Sequence, residues 1–127
     1  MAPARILIVE DESIVALDIS SQLKRQGYSV AAILSSGEAA VSQVSVIKPD
    51  LVLMDIRLQG EMDGVEAAHQ IRTQSNVPLI FLTAYADKET LQRAATANPQ
   101  GYLIKPFKEI ELHQIVEKSL QPSDTEH

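Results

Sequence analysis

Five short aliphatic runs punctuate the chain: RILIV (5–9), YSVAAIL (28–34), LVLMDI (51–56), VPLIFL (77–82) and GYLI (101–104). Continuous runs of this length, with little polar alternation, are what strands show when helices cover both faces of their sheet. The stretches between them have helical period. Residues 12–26 set Ile14, Val15 and Leu17 near one stripe and close at Gly27, which suits a C-terminal cap. Residues 36–47 carry Ala39, Ala40, Val44 and Ile47 at helical spacing. Asp63 is placed to cap a helix continued by Val65, Ala68, Ile71 and Arg72, and residues 87–97 form an alanine-rich segment around Leu91. Leu112, Ile115, Val116, Ser119 and Leu120 trace the inner face of a last helix. His69 and His113 fall in these helices and are expected on the solvated surface. Strand followed by helix, five times with short connections, predicts a parallel α/β sheet.

Length and composition narrow the function. One domain is expected in 127 residues, spanning 1–121, with a polar tail over 122–127. The absence of cysteine excludes disulfides, thiolate metal sites and cysteine nucleophiles. A formal charge of −6 argues against a surface built to bind nucleic acid, which needs clustered Lys and Arg. No apolar run approaches the ~18 residues of a membrane span, and MAPAR lacks the apolar core of a signal peptide. A soluble cytoplasmic protein is expected.

The polar residues are sorted by position. In an open parallel sheet, ligands bind beyond the carboxyl ends of the strands, where the strand order reverses. The first run ends in Glu10, Asp11 and Glu12, and the third in Asp55. The fourth is followed by Thr83 and Ala84, and the fifth by Lys105 and Pro106. Each residue alone has an ordinary reading: acids and Thr83 as turn or helix caps, Lys105 as a surface lysine. Together they mark a site. Carboxylates about 5 Å apart repel by roughly 3 kcal/mol per pair at an effective dielectric near 20, which raises the pKa of one unless a cation intervenes. All-oxygen donors suit Mg²⁺ or Mn²⁺, and the lack of histidine at the strand ends disfavours zinc. A metal held by few carboxylates keeps positions for phosphate oxygens, to which Lys105 and Thr83 could add a charge and a hydroxyl.

ILIVEDE, LVLMDI, EMDGVEAA, FLTAYAD and GYLIKPF, in that order, resemble the receiver domain of two-component response regulators. The resemblance runs from about residue 5 to 120. It implies a flavodoxin-like (βα)5 three-layer sandwich with a five-stranded parallel sheet of order 2-1-3-4-5. It further implies that Asp55 is the phosphoacceptor. Asp11 would be a direct Mg²⁺ ligand and Glu10 one acting through water, with Asp55 and the Arg57 backbone carbonyl completing the metal set. Thr83 and Lys105 would bind the acyl phosphate, with Ala84 small enough to admit it. Tyr102 would be the aromatic switch, and the Lys105–Pro106 peptide would be cis. The implied partners are a sensor histidine kinase or phosphotransfer protein upstream and an output protein or domain downstream. The output face is that of the fourth helix, fifth strand and fifth helix, which could also support a homodimer. Such a module catalyses its own phosphorylation and dephosphorylation without being a turnover enzyme.

The chain departs from the family pattern in places. Glu10 stands where Asp is usual, and the loop IRLQGEMDG is one residue longer than the common form and lacks its proline. Arg57 and Tyr85, two residues past Asp55 and Thr83, would flank the phosphoryl group and are expected to hinder attacking water. Two rival functions share features of the pattern. A haloacid-dehalogenase-like phosphatase also uses a strand-end Asp, but carries a second Asp where this chain has Arg57, which cannot donate a proton at neutral pH. A pseudo-receiver would use the fold only for binding, against which the intact Asp55, Thr83 and Lys105 argue.

Overall fold

The computed structural model describes residues 2–84 and 88–121. Its elements alternate without exception: β1 (Arg5–Val9), α1 (Ser13–Arg25), β2 (Ser29–Leu34), α2 (Gly37–Ile47), β3 (Leu51–Asp55), α3 (Gly64–Arg72), β4 (Leu79–Thr83), α4 (Lys88–Ala95), β5 (Gly101–Ile104) and α5 (Glu109–Leu120). All five strands pair in parallel, in the order β2-β1-β3-β4-β5. The protein is therefore a flavodoxin-like α/β sandwich, as the alternation of runs predicts. Tyr85 and the tail over 122–127 lie outside the described residues.

The sheet separates two apolar layers. Leu7, Val9, Val52, Met54, Leu79 and Phe81 face α2, α3 and α4, meeting Ala40, Val44, Ala68, Ile71 and Ala94. Ile6, Ile8, Leu51, Leu53, Ile80 and Leu82 face α1 and α5, meeting Ala16, Ile19, Leu23, Leu112 and Val116. Alternate residues of one strand thus enter opposite cores, which is why the strands read as continuous apolar runs. Every residue of β3 and β4 is buried.

In α1 the structure corrects the expected inner stripe. The buried positions are Ala16, Ile19, Ser20, Gln22 and Leu23, whereas Ile14 is 83% exposed and Leu17 61%. Positions 16, 19, 20 and 23 share one helical face, and that face points at the sheet although its first residue is only alanine. The large side chains of Ile14 and Leu17 drew the phase to the wrong side. His113 is a second correction. It is half-buried, 6.4 Å from the Tyr28 ring, and its Nδ1 is enclosed without a partner among the described residues. His69 is exposed and shares a 2.8 Å hydrogen bond with Thr96.

Two local devices fix where β3 ends and α3 begins. Asp63 caps α3 by accepting from the Glu66 amide at 2.9 Å, while Glu66 accepts from the Asp63 amide at 3.3 Å. Its other oxygen takes Arg93 of α4 at 2.6 Å. Gly64 donates its N–H to the Ile56 carbonyl at 2.8 Å, which draws the start of α3 against the end of β3. A Cβ at Gly64 would overlap the Asp55 carbonyl oxygen and lie 2.9 Å from the Asp55 carbonyl carbon and Ile56 Cα. These atoms are main chain and cannot rotate away.

Gly64→Ala is therefore expected to lower stability by about 1–3 kcal/mol, as overpacking does, read as the shift of the urea midpoint. An unchanged midpoint would show that the close approach of α3 to β3 is not a constraint.

Candidate functional site

Parallel pairing brings all strand carboxyl ends to one edge, and β1 sits where the order reverses, between β2 and β3. Val9 is in register with Met54, so Glu10 emerges beside Asp55. Asp55 is in register with Leu82, and Thr83 with Ile104, so Thr83 and Lys105 follow along the same edge. The Lys105 backbone N–H donates to the Thr83 carbonyl at 2.8 Å, extending the ladder one step past β5. The next peptide, Lys105–Pro106, is cis.

Three acids converge at this edge. Carboxylate oxygens of Glu10, Asp11 and Asp55 lie within 4.8 Å of one another. Glu10 is 1% exposed and Asp55 5%, while Asp11 is half-buried. Lys105 spans two of them, with Nζ donating to Glu10 Oε1 and to Asp55 Oδ2 at 2.8 Å each. Main-chain amides engage one further oxygen of each acid. Glu12 N–H donates to Glu10 Oε2 at 3.1 Å, Arg57 N–H to Asp55 Oδ1 at 3.0 Å and Gln59 N–H to Asp11 Oδ2 at 3.0 Å.

The protonation equilibria respond to this crowding. Burial pushes the Glu10 carboxyl above the ordinary carboxylate value, and Asp55 adds to the rise; Lys105 and the Glu12 amide pull it back without cancelling it. Burial works to lower the Lys105 value, but its bonds to Asp55 and Glu10 outweigh that and hold the ammonium above the usual lysine range. At neutral pH Lys105 is therefore a fixed positive charge between two acids.

One ammonium does not balance three carboxylates, and of the three it bonds to Glu10 and Asp55 but not to Asp11. The donor set is all oxygen, lies on two separate segments and opens to solvent beside Asp11, where a cavity of ≈ 350 Å³ is lined by Asp11, Glu12, Arg57, Leu58 and Gln59. Such a set fits a hard divalent cation that retains water ligands.

The remaining expected residues fall close by or further off. Thr83 is 3% exposed at the end of β4, and Ala84 is exposed next to it. Arg57 is exposed at the rim of the acidic cavity. Tyr102 lies one layer away on β5, half-buried, with its ring stacked on Phe81 at 6.2 Å and its hydroxyl donating weakly to the Leu91 carbonyl at 3.5 Å. On the other flank of Lys105 runs a groove of ≈ 620 Å³, lined by Ile14, Val15, Ile19, Ala84, Pro106 and Phe107 among others. Sequence reasoning missed the exposed apolar flank of α1 and all three main-chain amides. The first was legible in the 16, 19, 20, 23 spacing; amides carry no residue-type signal.

The family described as "Response regulator receiver domain" matches residues 6–117. The transcriptional regulatory protein PdtaR of Mycobacterium tuberculosis is 35% identical over 115 residues, 91% of this chain and 56% of the relative. The regulatory protein AtoC of Escherichia coli K12 is 41% identical over 118 residues, 92% of this chain and 25% of the relative. This chain therefore spans about half or less of the length of these two relatives. Among solved structures, the receiver domain of a sensor histidine kinase from Pseudomonas aeruginosa PAO1, with magnesium ion coordinated in the active site cleft, superposes with a TM-score of 0.85 at 36% identity, covering 94% of this chain and 98% of that one. With its strand order, its acidic edge and these relatives, the chain belongs to the receiver domains of two-component response regulators.

Proposed function

We propose that this domain is a phosphoacceptor switch that takes a phosphoryl group onto Asp55 from a phosphohistidine of a sensor kinase or phosphotransfer protein. One observation carries the reading: Lys105 Nζ is 2.8 Å from both Glu10 and Asp55, at the strand edge shared with Thr83 and Asp11. Two buried acids around a lysine, open on one side, are arranged to receive further positive charge and a phosphoryl group.

The residues divide the work. A carboxylate oxygen of Asp55 attacks phosphorus as the P–N bond to the donor imidazole breaks, and the imidazole leaves with the electron pair. Asp11, Asp55, the Arg57 carbonyl and Glu10 through water would hold Mg²⁺, or Mn²⁺, which when bound offsets charge on the phosphoryl oxygens. Lys105 transfers its bond from Asp55 to a phosphoryl oxygen, and Thr83 donates its hydroxyl to another while Ala84 leaves room. The acyl phosphate then favours a state in which Thr83 has moved and Tyr102 has left its contact with the Leu91 carbonyl, altering the α4–β5–α5 face presented to an output partner. The chemistry ends in a population shift rather than turnover of a free substrate.

The test is intact mass after incubation with acetyl phosphate and Mg²⁺. The wild type is expected to gain one phosphoryl group and Asp55→Ala none. A wild type that stays unmodified, or an Asp55→Ala protein that gains the group, overturns the assignment.

Lys105→Met removes the cation that competes for the same two acids. It should bind Mg²⁺ about three- to tenfold more tightly by calorimetry, given the Coulomb energy of nearby like charges, yet accept phosphate more slowly. Weaker Mg²⁺ binding in this variant would contradict the shared occupancy of the acids.

Arg57 and Tyr85 are proposed to obstruct the water that hydrolyses the acyl phosphate. Arg57→Ala is expected to speed dephosphorylation several-fold, about 3- to 10-fold or 0.7–1.4 kcal/mol of barrier, and Tyr85→Ala likewise. A rate unchanged in both variants removes the idea.

A further inference from the structure

We infer that the main-chain N–H of Gln59, presented by the loop between β3 and α3, positions Asp11 for the divalent cation. This deepens the proposed function and rests on it. The amide donates to Asp11 Oδ2 at 3.0 Å across 48 residues of sequence. Asp11 is the one acid of the cluster that Lys105 does not touch and the least buried of the three. Without the Gln59 amide its carboxylate would be free to rotate toward water. With Oδ2 engaged, the carboxylate plane is fixed and Oδ1 remains to ligate. The bond is charge-assisted, which makes it the stronger kind.

The loop is built to hold that amide. Leu58, immediately before Gln59, is buried in the core beneath α2 and α3. Met62 packs at the start of α2, where a Cβ on Gly37 would come within 3.1 Å of its carbonyl oxygen and 3.2 Å of its Cγ. Between these anchors, Gly60 takes φ +103°, a region that side-chain-bearing residues rarely adopt, and this sets the direction of the main chain just after Gln59. The Gln59 side chain is exposed, so the residue serves through its backbone. The extra residue and the missing proline of IRLQGEMDG thus acquire a purpose: they carry an amide from the Asp55 segment across to the Asp11 segment.

Gln59→Pro deletes the N–H, Gln59→Ala keeps it, and Gly60→Val disfavours the turn that aims it. Mg²⁺ affinity by isothermal titration calorimetry, checked by Mn²⁺ binding in electron paramagnetic resonance, is the readout, with metal-free melting temperature as the control for folding. Gln59→Pro and Gly60→Val should bind the ion about tenfold more weakly, the usual cost of losing a partner of a metal ligand, while Gln59→Ala stays within about twofold. Equal affinity in Gln59→Pro and wild type overturns the inference, as does a loss in Gln59→Ala matching that in Gln59→Pro. Should Gln59→Pro not fold, Gly60→Val decides by the same criterion. A wild type that binds no Mg²⁺ overturns the inference together with the proposed function; a wild type that binds it and is phosphorylated, beside variants that bind equally well, overturns the inference alone.

Discussion

Two carboxylates that the fold keeps from water can both stay ionised side by side only if positive charge lies between them. Lys105 supplies that charge, donating to Glu10 and Asp55 at once. Everything at the carboxyl edge follows from this constraint. With β1 next to β3, Glu10 stands beside Asp55, and Lys105 reaches both from the end of β5, beyond β4 on the other side of β3. The sheet order and the charge arrangement are thus one solution to one problem. Asp11 lies beyond the reach of those two bonds, and the amide of Gln59 engages it instead.

The proposed switch rests on the same arrangement. A buried ion pair with all its partners satisfied adds little net stability over a well-packed apolar replacement. Here the lysine is shared, the cluster keeps an excess of negative charge and one side opens to solvent. Under the proposed function, such a site would hold two cationic occupants in exchange, and a change of occupant would pass along β4 and β5. Their last residues, Thr83 and Ile104, are paired, and Tyr102 leans on Phe81 one layer below.

Much of this was legible in the sequence. Continuous apolar runs gave five strands because each strand of a sheet covered on both faces feeds two cores. The sorting of Glu10, Asp55, Thr83 and Lys105 to run ends exposed the edge, because parallel strands deliver their ends to one side. The phase of α1 is ambiguous in its first turns, where Ile14 and Leu17 outweigh Ala16, although Ile19 and Leu23 continue the alanine face and are buried with it. The partners of Asp55 and Asp11 were hidden for a different reason: Arg57 and Gln59 act here through N–H groups that every residue but proline possesses. Gly64 gave only the signal of a helix start, since the nearness of the Asp55 carbonyl depends on how α3 is drawn against β3.

The central claim is that Glu10, Asp11 and Asp55 form a single divalent-cation site with Lys105 as its built-in competitor. Anomalous diffraction from crystals soaked in Mn²⁺ addresses it most directly. The account predicts one strong peak at the carboxyl edge, in contact with oxygens of Asp11 and Asp55 and accompanied by loosening of the Lys105–Asp55 bond. A peak elsewhere, or no peak with Lys105 still bridging Glu10 and Asp55 at saturating Mn²⁺, would contradict it.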